Sequence, residues 1–308
     1  MRVLVTGGAG FLGQRVVSKF RAEGFAVVST DVFPRERDIE SLDVTDLQAT
    51  DAKFSSAKPD VVIHLAALTG AKGKGGGSES LRDPYDYFRT NVMGTLTVLE
   101  ACRLHKIQRV IYMSSFSTYG VTEGAIDEKT NFNPTNPYGF SKACGELVAK
   151  CYASNYGIKT LIFRAPLLAG ETQEEESALR EFVLCAIKGR PIVIYGNGSH
   201  VREWLHPFDV AEAFLKGMTY FDSMAIPYDI FVLGGKPISM IELARLVIDK
   251  IGGRVQHEQN PGIVFDQYSD TRKARTLLGW QPSFQVHDIV DRVIADIRGE
   301  QKRSEKWG

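Results

Sequence analysis

The sequence predicts an α/β fold built as a doubly wound parallel sheet, on three observations. Short apolar runs alternate with stretches of helical periodicity through the first half. The first apolar run meets the first helical stretch at a glycine-rich turn, Thr6-Gly7-Gly8-Ala9-Gly10-Phe11-Leu12-Gly13. The polar motifs follow the ends of the apolar runs, at the carboxyl edge where such sheets bind ligands.

Taken in order, Val3-Leu4-Val5 marks a buried strand over 2–5, and apolar positions at helical spacing predict a helix over 11–23. Each glycine between them has a task. Gly7 permits the tight turn, Gly10 lets backbone approach a pyrophosphate, and Gly13 lets the helix pack on the strand. The helix start, at Phe11 and Leu12, then offers unpaired N–H groups and a positive dipole end to phosphate. A second apolar run predicts a strand over 25–30 that ends at Asp31, 18 residues past Gly13. That is near the spacing of an acid that binds an adenosine ribose 2′-OH. A carboxylate accepts hydrogen bonds from a diol and repels a 2′-phosphate, so the reading favours NAD over NADP. Capping of a turn is the alternative for Asp31, and Arg35 and Arg37 are near enough in sequence to meet a 2′-phosphate.

A short strand over 39–42 leads to Asp43-Val44-Thr45-Asp46. Thr45 or Asp46 is the expected cap of a helix over 46–56, and Asp43 is a candidate for the adenine edge. The strand over 61–65 carries His64, expected to be buried rather than catalytic, and is followed by Ala66 and Ala67, small enough to leave room for a cofactor. The segment Gly70–Ser78 holds five glycines and two lysines. It reads either as a lid whose lysines meet an anionic substrate or as a solvated loop with no role, the second being preferred. A helix over 85–106 contains Asn91 among apolar neighbours, there to brace backbone or to hold a water.

The strand over 109–113 runs into Ser114-Ser115-Phe116-Ser117-Thr118-Tyr119-Gly120, whose hydroxyls are well placed to hold a substrate hydroxyl. A helix over 137–156 opens with Asn136-Pro137-Tyr138-Gly139-Phe140-Ser141-Lys142, proline being at ease in a first turn. Tyr138 and Lys142 stand four apart, hence on one face. A tyrosine is a poor base at neutral pH, and an ammonium beside it favours the phenolate. So tuned, the tyrosine can take a proton from an alcohol as hydride leaves its carbon. The last strand of the first half is expected over 159–163. Beyond about 166 the pattern loosens, with helices near 177–188, 208–221 and 239–251 and short strands near 192–195 and 229–233. Glu171 to Glu176 reads as a solvated acidic loop, and the polar end from Arg298 to Gly308 is expected to fray.

The 308 residues, 44% hydrophobic, can fill one large core or two moderate ones. Equal numbers of basic and acidic residues, 37 each, point away from nucleic-acid and membrane surfaces. Cys102, Cys144, Cys151 and Cys185 lack metal-ligand spacing and read as free thiols in a reducing compartment. A strand beginning at residue 2 leaves no room for a signal peptide, and no apolar run is long enough to span a bilayer, so a cytoplasmic location is expected.

Together these motifs resemble the extended short-chain dehydrogenases/reductases of the NAD-dependent epimerase/dehydratase, or nucleotide-sugar epimerase, family. The likeness lies in TGxxGxxG at 6–13, HLAA at 64–67, SSxxxYG at 114–120 and YxxxK at 138–142. It extends to Tyr195-Gly196-Asn197-Gly198-Ser199 with Arg202-Glu203-Trp204-Leu205-His206, and to Leu278-Gly279-Trp280-Gln281-Pro282. The resemblance implies a Rossmann-type domain over 1–165 and mainly a smaller substrate-binding lobe over 166–308, some of whose segments return to the main sheet. It implies that Ser115 holds the reacting hydroxyl, Tyr138 is the acid/base, and Lys142 binds the nicotinamide ribose and tunes Tyr138. Arg202, and with less support Arg272, would face a substrate diphosphate, surface pairing with acids being the alternative for both. The expected cofactor set is Gly7, Gly10, Phe11, Leu12, Asp31, Asp43, Val44, Leu65, Ala66, Ala67, Asn91 and Ser114, with Tyr138 and Lys142. A homodimer is implied as well.

Departures from the family pattern narrow the chemistry. The family's dehydratases carry an Asp-Glu pair after the catalytic hydroxyl residue, where this chain has Phe116 and Ser117, which argues against loss of water. Leu167 replaces an asparagine that contacts the nucleotide sugar, and Pro207-Phe208 replaces a Val-Asp pair. The substrate half has diverged more than the cofactor half. The expected activity is NAD-dependent epimerisation of a sugar hydroxyl by hydride transfer, with a dehydrogenase that releases a ketone or lactone as the alternative. A non-catalytic dinucleotide sensor is a third reading, opposed by the intact Ser115, Tyr138 and Lys142.

Overall fold

The computed structural model describes residues 1–69, 84–173, 177–259 and 265–307, the last seven of these by backbone alone. Gly70–Ser78 therefore lies outside the described residues, as does the second half of the acidic stretch 171–176.

Strands β1 (Arg2–Thr6), β2 (Ala26–Asp31), β3 (Ile39–Ser41), β4 (Val61–His64), β5 (Arg109–Ser115) and β6 (Lys159–Ala165) form a parallel sheet. Tyr228–Val232 pairs in parallel with β6 as the seventh strand, giving the order Tyr228–Val232, β6, β5, β4, β1, β2, β3. The order reverses between β1 and β4, and the crevice beyond their carboxyl ends is where such a sheet binds ligands.

The strands are apolar on both faces because helices cover both. Val3 and Val5 point into one layer with Val16 and Phe20 of α1 (Phe11–Ala22), while Leu4 faces Val62, Val98 and Tyr112 in the other. That second layer holds α2 (Leu47–Ala57), α4 (Gly94–Leu104) and α5 (Pro137–Tyr156). The helix expected over 85–106 is divided into α3 (Pro84–Phe88), a π-helical turn Arg89–Met93 and α4. The wide turn lets Asn91 leave the helical register for the strand ends, a common use of π-bulges.

After β6 the chain forms a separate core from α6 (Ala178–Ile187), α8 (Met240–Ile251) and α10 (Val286–Trp307), beside the parallel pair Ile192–Tyr195 and Val255–Glu258. By contrast α7 (Pro207–Ser223) and α9 (Arg272–Leu278) return to the main sheet, burying Phe214 and Trp280 with Phe20. The polar end expected to fray is helical through Trp307, and Arg180 of α6 pairs with Glu300 at 2.7 Å.

The turn between β1 and α1 is the tightest point of this architecture. A Cβ on Gly13 would lie 2.1 Å from the Gly7 carbonyl oxygen and 2.7 Å from Gly8 Cα, both backbone atoms. Gly13→Ala is expected to cost about 1–3 kcal/mol or more, read as a lowered urea midpoint. Gly299→Ala, on a helix with open space around it, should instead stabilise by about 0.5–1 kcal/mol. Equal midpoints for the two variants would refute this account of the turn.

Candidate active site

The cofactor side of the crevice is built from backbone. Gly7 has φ +74°, and a Cβ there would meet Ala66 N at 2.6 Å, so the turn needs both glycine's conformation and its size. Gly10 differs. It is exposed, its φ is −70°, and a Cβ would touch only Gly7 O, at 3.2 Å. The fold makes a smaller demand for glycine at position 10 than at 7 or 13, a Cβ there asking Gly7 O to give by only a few tenths of an ångström. Gly10 caps α1 without a side-chain acceptor, and the first turn holds no acid. The N–H groups of Phe11 and Leu12 thus suit an anion.

Asp31 ends β2 and does two structural jobs. Its Oδ2 accepts from Ala9 N at 3.0 Å, and its Oδ1 accepts from Phe33 N at 3.0 Å. It caps the following turn and also ties β2 to the glycine turn, with lone pairs to spare for a diol. Asp43 is exposed and accepts from the Thr45 amide at 2.9 Å and hydroxyl at 2.8 Å, while Asp46 is the cap of α2. Val44 is buried beneath Gly94, whose Cβ would meet it at 2.8 Å. Leu65, Ala66 and Ala67 leave β4 half-buried, and Thr6 holds the Leu65 and Ala66 amides at 3.1 and 3.3 Å.

Asn91 is buried and braces the chain after β4. Its Oδ1 accepts from Leu68 N at 2.8 Å, and its Nδ2 donates to Leu68 O at 3.0 Å and to Ser141 Oγ at 2.8 Å. Ser114 Oγ is buried and has no hydrogen-bond partner among the described residues. This donor set fits a dinucleotide: open N–H groups at a helix start, a carboxylate at the end of β2, and an unsatisfied hydroxyl at the end of β5.

The reactive side is built by β5 and α5. Ser115 closes β5 half-buried, with Oγ accepting from Ser117 N at 3.1 Å. Asn136 caps α5, accepting from Gly139 N at 2.8 Å, with Pro137 in the first turn. Two glycines seat the helix against the strand. A Cβ on Gly139 would lie 2.2 Å from Ser117 O, and one on Gly145 would lie 2.2 Å from the Tyr112 hydroxyl. Tyr138 is half-buried, its ring 6.1 Å from that of Tyr87 in an edge contact. Lys142 is 4% exposed, its ammonium 4.6 Å from the centre of the Tyr112 ring. Burial pushes the Lys142 ammonium down to about 8, against an opposing pull from Glu146.

His64 is buried between Thr6 Oγ1 at 2.7 Å and Thr95 Oγ1 at 3.1 Å, which is a structural post rather than an active-site one. The pairing of Glu146 with Arg164 is a further feature of the site, joining α5 to β6. Arg164 Nε and Nη2 reach the two Glu146 oxygens at 2.9 and 2.7 Å. Glu146 stands four residues after Lys142, on the same face of α5, and that spacing was the available sequence signal.

The two arginines of the second half part company. Arg202 is half-buried, stacked 4.6 Å over the Phe265 ring, and its Nη1 donates to the carbonyls of Val201 and Phe265. Arg272 is 87% exposed and chelates Asp270, with Nε at 2.8 Å from Oδ2. Surface pairing, the alternative for Arg272, is what its geometry presents. Next to Arg202, Glu203 is buried, accepts from Ser269 N and Oγ at 3.0 and 2.7 Å, and is pushed up to about 7 by burial.

A glycine turn under a helix start, an acid at the end of β2, and Ser, Tyr and Lys at the ends of β5 and α5 are the arrangement expected of a dinucleotide-dependent oxidoreductase site of the extended short-chain dehydrogenase/reductase type. The model of the NAD dependent epimerase/dehydratase family matches residues 3–234. The chain belongs to that family, and its cofactor is NAD. A UDP-glucose 4-epimerase of Streptococcus mutans is 30% identical over 96% of this chain and 95% of its own length. The UDP-glucose 4-epimerase of Thermotoga maritima, solved with UDP-glucose, superposes with a TM-score of 0.87 at 25% identity, over 98% of this chain and 100% of that one. The UDP-glucose 4-epimerase of Brucella ovis, solved with NAD, gives 0.86 at 26% identity, over 96% and 97%.

The environment of His64 has a measurable consequence. Burial first, and the Lys142 charge second, push it down to about 3 from an ordinary value of 6.5. The folded chain therefore keeps His64 neutral while the unfolded chain takes up a proton below pH 6.5. Its contribution to stability is fully present above pH 6.5 and is lost as pH falls towards 3. In urea unfolding across that window, His64→Gln should show a slope smaller than wild type by up to about 1.4 kcal/mol per pH unit. Identical slopes would mean that His64 titrates normally.

Proposed function

We propose that the chain is an epimerase of a nucleotide sugar, oxidising and re-reducing one sugar carbon with NAD retained between the two steps. The carrying observation is that Ser115 at the end of β5 and the Tyr138–Lys142 pair on α5 share the carboxyl edge with the glycine turn. Likeness to epimerases over nearly the whole chain supports the same reading. In this reading Gly7, Gly10 and the first turn of α1 hold the pyrophosphate, Asp31 the adenosine ribose, and Lys142 the nicotinamide ribose. NAD so held supplies a hydride acceptor. Ser115 orients the reacting hydroxyl, and Tyr138 takes its proton as phenolate and returns it as phenol. Lys142 keeps the phenolate within reach of neutral pH. We assign the grip on the nucleotide diphosphate to Arg202, on a rigid stacked guanidinium, and not to Arg272.

Dehydratase chemistry has no acid/base pair here. Phe116 is not merely apolar; it is 2% exposed and packs on Tyr119, Ile126 and Val232, so its position turns into a core. Leu167 is 45% exposed where the family pattern has an asparagine, and this observation favours the second reading, a dehydrogenase releasing its ketone. Freshly purified protein, denatured and assayed for released nicotinamide, separates the two. An epimerase should yield close to one NAD per chain and convert UDP-glucose to its 4-epimer. An empty chain that accumulates NADH would establish the dehydrogenase, and recovery of NADP would overturn the reading of Asp31. Tyr138→Phe should lower kcat by about 10²–10⁴ with little change in KM.

We also propose a homodimer in the cytoplasm, with residues from 166 onward, apart from those in the main sheet and its helices, serving the substrate. On α5 Phe140 and Leu147 are 49% and 56% exposed, seven residues apart on one face. Met93, at the entry to α4, is another exposed apolar residue. Such a patch supports association. All four cysteines are free, and among the described residues no helix is long and apolar enough to cross a membrane. Leu147→Glu should convert a dimer to a monomer in light scattering, and an unchanged mass would remove α5 from the interface.

A further inference from the structure

Two of the most deeply buried charged side chains among the described residues, Glu146 and Arg164, lie directly behind the reactive pair. Tyr138, Lys142 and Glu146 recur at every fourth position of α5, and Glu146 is 0% exposed. A carboxylate so buried needs a partner, and Arg164, at the end of β6 and itself 2% exposed, clasps it with two hydrogen bonds of 2.9 and 2.7 Å. The remaining guanidinium nitrogen donates to the Tyr119 hydroxyl at 2.7 Å, and that hydroxyl donates to Asp127 O at 3.0 Å. Tyr119 follows Ser115 by four residues. One guanidinium thus joins α5, which carries Tyr138 and Lys142, to the segment that follows Ser115 at the end of β5.

From this geometry we infer that Glu146 is a positioning residue for the reactive pair: through α5 its carboxylate holds the shared proton on Lys142, leaving Tyr138 as the phenolate. The inference rests on the Ser-Tyr-Lys reading above. A tyrosine and a lysine one turn apart on a helix face, where they interact, titrate as a pair that, short of one proton, exists as phenolate–ammonium or as phenol–amine. The first is a base and the second is not. The groups facing Lys142 from the surrounding elements decide the balance. From β4 comes His64, neutral because burial pushes it down to about 3. From β5 comes Tyr112, neutral because burial pushes it well above its usual value. Tyr138 itself shares α5, one turn before Lys142. Burial of Lys142 favours the amine, and the charge acting against it is that of Glu146. Arg164, and Lys150 at 3.9 Å, pair with this carboxylate, and neither is among the causes that act on Lys142.

Titration of the phenolate absorbance in wild type minus Tyr138→Phe tests this without any substrate. A phenolate step in wild type below the ordinary tyrosine value of about 10 is expected, and its absence would refute the Ser-Tyr-Lys reading itself. Given that step, Glu146→Gln, each variant being measured against its own Tyr138→Phe partner, should move it up by about one pH unit or more, a tenfold change in the proton balance. Because Glu146→Gln strands a buried guanidinium and threatens the fold, the double variant Glu146→Gln with Arg164→Gln removes both charges at once, and its step should also lie above that of wild type. Glu146→Asp keeps the charge and should leave the step in place, with the alkaline limb of the kcat profile unmoved. A wild-type step retained in the double variant would overturn the inference, reducing Glu146 to a structural half of an ion pair.

Discussion

The structure depends first on how closely backbone can approach backbone at the turn between β1 and α1. Gly13 packs so tightly on Gly7 and Gly8 that no side chain fits. Gly7 in turn lies against Ala66 after β4, so two strand ends meet with only glycine and alanine between them. This contact fixes the start of α1 over the point where the sheet order reverses. The open N–H groups of the helix then face the crevice, and Asp31 is drawn to the same place by its bond to Ala9 N. A larger residue at any of these positions would lift the helix start, and the anion site with it. The cofactor half is therefore less a set of side chains than a geometry that small residues permit.

A different device holds the reactive half. There the backbone between strand ends is fixed by buried polar side chains that pair with one another and with backbone. Thr6, His64 and Thr95 form one chain; Asn91 joins Leu68 to Ser141 of α5; Arg164 and Glu146 join β6 to α5. Such groups add little net stability, because desolvation offsets most of what their contacts return. They specify position instead. A core of leucines in their place would allow α5 to slide or turn, and a helix face misplaced by 1 Å is enough to spoil a proton transfer. The two glycines of α5 and these bonds act together: the glycines permit contact with β5, and the polar bonds select its register.

The parts of this design legible in the sequence are those whose physics is local. Strand, glycine turn and helix start are contiguous, Asp31 falls at a spacing set by one βαβ unit, and Tyr138 and Lys142 share a helix face by periodicity alone. Glu146 was within reach of the same argument, since it extends that face by one more turn. What could not be read is what depends on distant pairing. Leu167–Leu168 and Trp204–Leu205 are strands of two residues each that exist only by pairing with each other. The strand Ile192–Tyr195 pairs with Val255–Glu258 outside the main sheet, whereas Tyr228–Val232, of similar composition, enters it. Nothing in four or five residues distinguishes those fates. The sequence leaves Arg272 open between substrate and surface because it gives no exposure; its solvated chelate with Asp270 is a matter of tertiary placement. The π-turn at Arg89–Met93 was equally hidden, since its apolar pattern fits an unbroken helix until Asn91 finds its partners.

The contrast between the two halves bears on how one scaffold comes to run different reactions. In the proposed reading, the proton-transfer apparatus of Ser115, Tyr138 and Lys142 requires only that a hydroxyl be presented to it. Whether the resulting ketone is turned, dehydrated or released is decided by what surrounds it. Position 116 shows how that decision is made physically. For an acid to act there, its side chain would have to face the crevice, but Phe116 is drawn inward by Tyr119, Ile126 and Val232, and its carbonyl is held by Gln267. Restoring a carboxylate at 116 would first require emptying that small core and finding hydrogen bonds for a buried charge, at a cost of several kcal/mol. The reaction is thus constrained by packing as well as by the absence of a functional group. Divergence along the substrate half, at Leu167 and Phe208 as at Phe116, can redirect the fate of the oxidised sugar while the glycine turn and the α5 face stay unaltered beneath it.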